Sequence, residues 1–179
     1  MSMNKDIKEI LLLLFGKKIR SVWRKSYVLW LEIGDTVEKT EEDGKIEKKS
    51  EFALEVQSAW RIVNNHKKKI ILASSDVFSP NSKLVKEKNF DWTTFEWNIP
   101  GNNMLDEKLN IWFSESPIYI VECKISVWGN LLIRFSNNDF LEIFVDTSDY
   151  VKCWILSDLQ KKEEWTVTGL GYEFHCEEI

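Results

Sequence analysis

Few residues of this chain have the types and positions that binding or catalysis requires. Arg61 lies in FALEVQSAWRIV (residues 52–63), a strand-like run in which alternation places the arginine on the polar face. Loops carry function disproportionately, and proline, glycine and asparagine make residues 75–102 the least regular part of the chain. In and beside that part, the candidate binding residues are Asp76, Asp91, Asn103 and Asp106.

Two interpretations of Arg61 follow from its chemistry. As a structural residue it would form an ion pair with Asp76 or Asp106, because the planar guanidinium bonds carboxylates bidentately. As a functional residue it would hold an anion or a substrate. The two aspartates could act as an acid–base pair only if one of them had a raised pKa in a pocket. The sequence therefore predicts no catalytic residue.

Sequence motifs of known chemistry are missing. There is no phosphate-binding loop, no dinucleotide-binding glycine pattern and no nucleophile elbow. The two histidines, His66 and His175, are far apart, and the three cysteines form no C-x-x-C pair, so no zinc-ligand spacing is present. The sequence favours a protein that is not an enzyme and that uses no cofactor and no metal.

Charge and hydropathy limit the partners. The formal net charge is −5, which disfavours nucleic acid and anionic membranes because phosphate binding needs a positive field. An acidic chain fits a basic protein partner better. The first apolar run, residues 10–15, is too short for a signal peptide or a membrane span, and an odd number of cysteines suits a reducing compartment. We therefore expect a cytoplasmic protein, and its oligomeric state stays open.

Two segments have the spacing of amphipathic helices. The first, residues 4–15, can be capped by Asn4 and is followed by Gly16 as a stop signal. The second, residues 103–115, can be capped by Asn103. The apolar faces consist of Ile7, Ile10, Leu11 and Leu14 in the first helix and of Leu105, Leu109 and Trp112 in the second.

Alternation with a period of two predicts two β regions, each an antiparallel meander. In the first, a long hairpin runs from residue 27 to residue 57 with its turn at Asp43-Gly44. In the second, a two-residue turn at Gly129-Asn130 joins residues 118–128 to residues 131–136. The other predicted strands are 18–24, 59–63, 68–74, 140–145, 151–156 and 164–169.

Four short words recur in the same order in the two regions. They are SVW at 21–23 and 126–128, LEV and LEI at 54–56 and 141–143, AWRIV and CWIL at 59–63 and 153–156, and Ser-Asp at 75–76 and 157–158. Such recurrence predicts an internal duplication. The predicted fold is α+β, with two similar antiparallel β-meanders, an N-terminal helix and one mid-chain helix.

The predicted domain organisation follows from the duplication. Residues 1–179 form a single domain, in which the first repeat spans 18–76 and the second spans 118–169. An irregular linker that includes the second helix spans 77–117. The halves would pack face to face or form one continuous curved sheet, because each alone has too little core.

Several blocks of the chain resemble a group of uncharacterised bacterial proteins. These blocks are FALEVQSAWRIV, SSDVFSP, FDW, GNNMLDEKL and LEIFVDTSDYVKCWIL, in the order of that family. Glu55 stands where the family pattern has a histidine and Ser58 where it has a cysteine, so a site built on those two side chains would not carry over. The resemblance implies no activity. By analogy alone, many small acidic bacterial proteins of this kind look like immunity proteins, which neutralise toxins.

The sequence thus favours a cytoplasmic, non-enzymatic protein-binding module, such as an immunity protein that neutralises a basic toxin. The alternative is a small-molecule-binding or hydrolytic protein in which Arg61 and the loop aspartates surround one polar pocket. A homodimer with a purely structural role is a third possibility.

Overall fold

The computed structural model describes residues 6–40, 46–114 and 116–176, which form two α-helices, eleven β-strands and three short 3₁₀ helices. The α-helices are α1 (Ile7–Leu13) and α2 (Met104–Ser114). The strands are β1 (Ile19–Lys25), β2 (Val28–Thr40), β3 (Ile46–Val56), β4 (Trp60–Asn64), β5 (Lys69–Ala73), β6 (Ile120–Ile125), β7 (Leu131–Phe135), β8 (Asp139–Ile143), β9 (Lys152–Asp158), β10 (Glu163–Thr168) and β11 (Gly171–Cys176). The 3₁₀ helices are Ser74–Phe78, Leu84–Lys86 and Trp92–Thr94.

The strands of the described residues form two antiparallel sheets. One sheet has six strands in the order β1-β2-β3-β9-β10-β11, and the other has five in the order β5-β4-β8-β7-β6. Helix α1 contacts β6, and helix α2 contacts β1 and β5. The predicted α+β class is therefore confirmed.

Each sheet combines strands from both halves of the chain. The six-stranded sheet takes β1-β2-β3 from the first half and β9-β10 from the second, whereas the five-stranded sheet takes β6-β7-β8 from the second half and β4-β5 from the first. Both halves thus have the same strand order, which is consistent with a duplication. The expectation that intact halves pack together or form one curved sheet is wrong, because the strands are interleaved.

The register of the central strand pairs is the same in the two sheets. In the six-stranded sheet Leu54 lies opposite Leu156 and Val56 opposite Trp154. The corresponding pairs in the five-stranded sheet are Leu141 with Ile62 and Ile143 with Trp60. The two tryptophans therefore occupy equivalent positions, and both are almost completely buried.

Only two of the four recurring words mark equivalent positions. The LEV/LEI and AWRIV/CWIL words coincide with the matched central strands. The SVW words do not, because Trp23 lies within β1 whereas Trp128 lies in the connection after β6. The Ser-Asp words do not either, since Asp76 lies in a 3₁₀ helix and Asp158 ends β9.

Equivalence extends to the two helices. Buried residues recur with the same spacing, as Ile7, Leu11 and Leu14 around α1 and as Leu105, Leu109 and Trp112 in α2. Helix α1 precedes β1 and contacts β6, whereas helix α2 precedes β6 and contacts β1. The two first strands also meet, because Ile19 N–H donates to Ile118 O and Ile120 N–H donates to Lys17 O, both at 2.9 Å.

Local signals set the ends of α1. Its N-cap is Asp6, whose carboxylate accepts the Lys8 N–H at 3.0 Å. The predicted cap, Asn4, lies outside the described residues. With Asp6 as its cap, α1 begins at Ile7, three residues later than expected. Gly16 follows with a φ of +76°, a conformation that glycine adopts without strain and that ends the helix.

The predicted hairpins are present with two differences. Strands β2 and β3 pair as expected, and the predicted turn at residues 43–44 lies outside the described residues. Strand β6 ends at Ile125, so residues 126–130 form a five-residue connection instead of a two-residue turn. Residues 171–176, for which the sequence predicts no strand, form β11 at the edge of the six-stranded sheet.

One cluster of buried apolar side chains draws on both sheets and both helices. It includes Trp60, Trp112, Trp154 and Trp165. Aromatic rings bury large apolar areas, so these four tryptophans contribute strongly to the core. The domain boundaries drawn from the sequence stay a prediction.

Candidate functional site

Arg61 forms a cross-strand ion pair on the outer face of the five-stranded sheet. Its Nε donates to Glu142 Oε2 at 2.5 Å, and its guanidinium lies 5.4 Å from the centre of the Phe144 ring. The prediction that Arg61 forms an ion pair with Asp76 or Asp106 is therefore wrong. The side chains of Arg61 and Glu142 are 43% and 28% exposed, and pairs this accessible contribute only about 0–1 kcal/mol to stability.

Asp106 pairs with a different arginine. Arg24 Nε donates to Asp106 Oδ1 at 2.5 Å and Arg24 Nη2 donates to Oδ2 at 2.7 Å. The Gly101 N–H also donates to Oδ2, at 2.6 Å. The two charged side chains are only 5% and 13% exposed, so this bidentate pair holds the start of α2 against β1.

Asn103 and Asp76 have structural roles next to α2. The Asn103 side chain accepts the Asp106 N–H at 2.9 Å, as predicted for a helix cap, and donates to Trp97 O at 2.8 Å. The Asp76 carboxylate accepts the Ala73 N–H at 3.0 Å and the Lys108 ammonium at 2.9 Å. Both side chains therefore join the irregular segment to neighbouring elements.

Asp91 lies apart from the other four candidates. Its carboxylate accepts the Thr93 N–H at 2.8 Å and caps a 3₁₀ helix. This hydrogen bond holds the pKa of Asp91 below its usual value, which is the opposite of what a general acid needs. The residue lines an open depression of about 380 Å³ beside Phe90 and Phe95.

The five predicted residues do not share one pocket among the described residues. Asn103 and Asp106 are linked by a hydrogen bond, and Asp76 is linked to the same helix by its ion pair with Lys108. Arg61 lies on the sheet face opposite Ile62, a core residue, and the buried face of α2 belongs to that core. The sheet therefore separates Arg61 from the helix cluster.

Nucleophilic and metal chemistry find little support in the described part of the chain. Burial, with a smaller effect of Glu122, raises the pKa of the Cys123 thiol to about 12, so this thiol stays protonated at neutral pH. No group of three or more His, Cys, Asp or Glu side chains in residues 6–40, 46–114 and 116–176 is arranged to hold a metal ion.

The helices of these described segments are short. They have 7 and 11 residues, and neither is long and apolar enough to cross a bilayer.

A surface that the sequence did not indicate lies where three connections meet. The connections are residues 126–130, residues 144–151 and the turn between β10 and β11. Val127, Trp128 and Leu170 are 92%, 78% and 68% exposed, which is unusual for large apolar side chains. We call the exposed set, which consists of Val127, Trp128, Tyr150, Val151, Leu170 and Tyr172, the three-loop surface.

The backbone beneath the three-loop surface is tightly packed. A Cβ atom on Gly129 would lie 2.9 Å from Val167 Cγ1, and one on Gly169 would overlap the carbonyl oxygen of Thr147. Trp154 Nε1 donates to Gly129 O at 2.9 Å, which ties the first connection to the core. The exposed side chains therefore stand on connections held by packing and hydrogen bonds.

A cleft borders this surface. We call it the α1 cleft, because Ile7 and Lys8 of α1 form one wall and the connections form the others. Its volume is about 530 Å³, within the range of about 300–1,000 Å³ that is typical of ligand pockets. The remaining lining residues are Ile125–Gly129, Val167 and Gly169–Tyr172.

A sequence signal for this surface exists, although it is easily misread. Val127 and Trp128 directly precede Gly129, and Leu170 lies between Gly169 and Gly171. Bulky apolar residues beside glycine at a turn have little chance of being buried, since turns lie at the surface. Alternation instead predicts a strand over residues 118–128, and a strand gives no indication that Trp128 is exposed.

The described residues form an α+β fold of two interleaved antiparallel sheets. No protein-family model matches the chain, and no curated protein or solved structure matches it.

Proposed function

We propose that this protein is a non-enzymatic protein-binding module that binds its partner through the three-loop surface. The observation that carries the proposal is the exposure of Val127, Trp128 and Leu170 on tightly packed connections. Tryptophan and tyrosine are enriched in the energetically dominant parts of protein interfaces. A rigid backbone lowers the entropy that binding must offset.

The proposed partner is a basic protein. The net charge of −5 favours such a partner by steering its approach. Asp149 and Glu173 next to the three-loop surface add local negative charge. In its most specific form the proposal is a cytoplasmic immunity protein, of the kind found in bacteria, that neutralises a basic toxin.

The small-molecule alternative has weaker support. It requires Arg61, Asp76, Asp91 and Asp106 around one pocket, whereas each of these side chains already has a partner elsewhere. A carboxylate in an ion pair with arginine is not a free general base, and the paired arginine is not an open anion clamp. The exposed apolar surface has no role in that alternative.

Trp128→Asp is expected to weaken binding of the partner by at least about 30-fold, because interface hot spots are typically worth about 2 kcal/mol or more. The measurement is a calorimetric titration of the purified protein with each soluble basic product of the neighbouring genes. The side chain is 78% exposed, so the variant should fold.

Tyr27→Asp is the matched control, because Tyr27 is a half-exposed aromatic residue in the turn that joins β1 to β2 in the first half. It should leave the affinity unchanged. The proposal fails if no protein partner binds more tightly than about 1 µM, which corresponds to about −8 kcal/mol. It also fails if the two variants weaken binding equally.

A further inference from the structure

The outer face of the five-stranded sheet balances its own charges. Among the described residues it carries two carboxylates, Glu122 of β6 and Glu142 of β8. Glu142 pairs with Arg61 at 2.5 Å. Glu122 pairs with Lys124 at 2.8 Å and with Arg134 at 3.5 Å. Each negative charge on this face therefore has a positive partner from the same chain.

The outer face of the six-stranded sheet carries four carboxylates, each on a different strand. Each is adjacent in its strand to a residue that belongs to the core cluster or packs against it, so alternation directs the carboxylate outward. The strand register places two of them in each of two neighbouring rows across the sheet. The four are Glu32 of β2, Glu55 of β3, Glu164 of β10 and Glu173 of β11.

No lysine or arginine in the described segments pairs with any of these four carboxylates. Glu55 accepts a hydrogen bond from the Gln57 amide at 2.6 Å, and Glu164 accepts one from the Thr166 hydroxyl at 3.2 Å. These donors are neutral, so they leave the negative charges of the face uncompensated. The exposed cations of β1 and β9 do not pair with these carboxylates either, and these cations are Arg20, Lys25 and Lys152.

Glu173 connects this face to the three-loop surface. Its carboxylate accepts the hydroxyl of Tyr150, a member of that surface, at 2.6 Å. The imidazole of His175 lies 3.5 Å from the same carboxylate and carries a positive charge only when it is protonated. The two surfaces are therefore contiguous, and one partner can contact both.

A stacked pair of tryptophans lies on the same face. Trp23 and Trp30 are cross-strand neighbours whose ring centres are 5.0 Å apart and whose planes differ by 3°. Trp30 lies directly opposite Glu55, and Glu32 is two residues further along the same strand. Trp23 is 42% exposed. A guanidinium suits these surroundings, because it stacks on an aromatic ring and bonds a neighbouring carboxylate.

The width of the face indicates a polypeptide ligand. Four strand spacings separate β2 from β11, which amounts to about 19 Å at about 4.8 Å per spacing. A single ion or a small amine cannot reach the carboxylates at both margins. An extended segment of about six residues has the required length.

We propose that this outer face, which we call the acidic face, binds an arginine-bearing segment of the partner protein. The inference rests on the proposed function and names the chemistry of the segment that the partner presents. Charge complementarity carries it, because the other sheet supplies cations to its own outer face and this sheet does not. One arginine stacks on the tryptophan pair, and further cations meet the carboxylates. The acidic face consists of Trp23, Trp30, Glu32, Glu55, Glu164 and Glu173.

Two hexapeptides of equal charge and length test the proposal on the intact chain. They are N-acetyl-hexaarginine amide and N-acetyl-hexalysine amide. Titration of hexaarginine into ¹⁵N-labelled protein at low ionic strength should shift the backbone amide signals of residues 53–55, 164 and 173 and the indole signal of Trp23. Hexaarginine should bind about two- to fivefold more tightly than hexalysine, which is the range of an exposed cation–π contact.

Trp23→Val should remove most of this preference for arginine and retain the binding of hexalysine, because valine suits a strand and lacks the aromatic ring. Trp92→Val is the matched control. That ring is 65% exposed and lies in a 3₁₀ helix outside both sheets. The control should leave the preference for arginine unchanged.

Two double variants compare the outer faces at an equal change of net charge. Glu32→Gln combined with Glu55→Gln should weaken the binding of hexaarginine at least about fourfold, since each accessible ion pair contributes about two- to fivefold. Glu122→Gln combined with Glu142→Gln should weaken it less than about twofold, because those carboxylates already have cationic partners.

The proposal is overturned if the two double variants weaken binding equally, because the attraction then reflects net charge alone. It is also overturned if the wild type binds both peptides equally or if Trp23→Val keeps the full preference for arginine. Signal shifts that leave out the acidic face, for example shifts around Phe90 and Phe95, contradict it as well.

The peptide titrations and the partner titrations fail independently. If Trp128→Asp weakens the protein partner while the peptides do not select the acidic face, the three-loop surface binds alone and only the arginine contact is wrong. If the peptides select the acidic face while no protein partner binds, the face recognises cationic segments and the proposed function is wrong.

Discussion

Trp154→Ala should lower the free energy of unfolding by about 3–5 kcal/mol, the usual cost of removing a fully buried tryptophan. The ring is completely buried between strands of both halves, and its Nε1 holds Gly129 in place. Urea denaturation followed by circular dichroism measures the change. A comparable loss is expected for Trp60→Ala, because Trp60 occupies the equivalent position.

The phenylalanine variants separate the two tryptophans. Trp154→Phe removes the hydrogen bond to Gly129 O and leaves that carbonyl unpaired, at a cost of about 1–3 kcal/mol beyond the lost area. Among the described residues, Trp60 Nε1 has no hydrogen-bond partner, so Trp60→Phe should cost less. Equal losses for the two phenylalanine variants would contradict the difference in hydrogen bonding. A loss below about 1 kcal/mol for Trp154→Ala would contradict the burial described here.

Asp106→Ala should lower the free energy of unfolding by about 3–5 kcal/mol, because it leaves Arg24 as an uncompensated, largely buried charge. It also removes the acceptor of the Gly101 N–H. Thermal denaturation at neutral pH measures the effect. Arg24→Met added to Asp106→Ala should recover part of the loss, because the unpaired cation is then gone.

Glu142→Ala is the matched control for the buried pair. The Arg61–Glu142 contact has the same 2.5 Å separation as the Arg24–Asp106 contact but is far more exposed. Its removal should cost less than about 1 kcal/mol. If Glu142→Ala and Asp106→Ala lowered the free energy of unfolding equally, burial would not be the factor that decides the strength of these ion pairs.

Only one of the repeated phrases carries an arginine, and the difference lies on the outer face of the sheets. Arg61 lies opposite Glu142, and the equivalent pair in the other sheet is Ile155 with Glu55. Glu55 accepts a hydrogen bond from Gln57 at 2.6 Å, so it has a neutral partner. The repeated phrase thus keeps the core positions, whereas the outer face differs: Arg61 is half-exposed and Ile155 is buried.

Local patterns predicted most individual elements. The buried faces of both helices, the Asn103 cap and the long β2–β3 hairpin follow from spacing and capping chemistry, which act over a few residues. The helix limits shift by one to three residues, since caps compete locally. Such features are predictable because their causes lie next to one another in the sequence.

The exchange of strands between sheets was not predictable from alternation. Residues 57–59 carry the chain from β3 in one sheet to β4 in the other, yet FALEVQSAWRIV alternates as one strand would. Alternation reports which face a side chain takes and gives no information on which strand lies beside it. The predicted ion-pair partners of Arg61 are wrong for this reason, because β8 lies beside β4 and contributes Glu142.

The candidate binding residues show a related limit, and their role in binding stays a prediction. Polar residues in the irregular segment suggested function, but Asp76, Asn103 and Asp106 bind backbone groups and cations that hold this segment to the sheet and to α2. A polar side chain in a loop has the same appearance in the sequence whether it caps a helix or contacts a ligand. The exposure of Trp128 has a local signal, its place directly before Gly129, but the strand-like alternation of residues 118–128 obscures that signal.

Backbone nuclear Overhauser effects on isotope-labelled protein test the interleaved arrangement most directly. Cross-strand contacts should connect Glu55 with Ile155 and Arg61 with Glu142, because β3 pairs with β9 and β4 pairs with β8. Contacts between residues 53–56 and residues 60–63 would instead show β3 and β4 as neighbours in one sheet. That result would contradict the interleaved arrangement and the shared strand order of the two sheets.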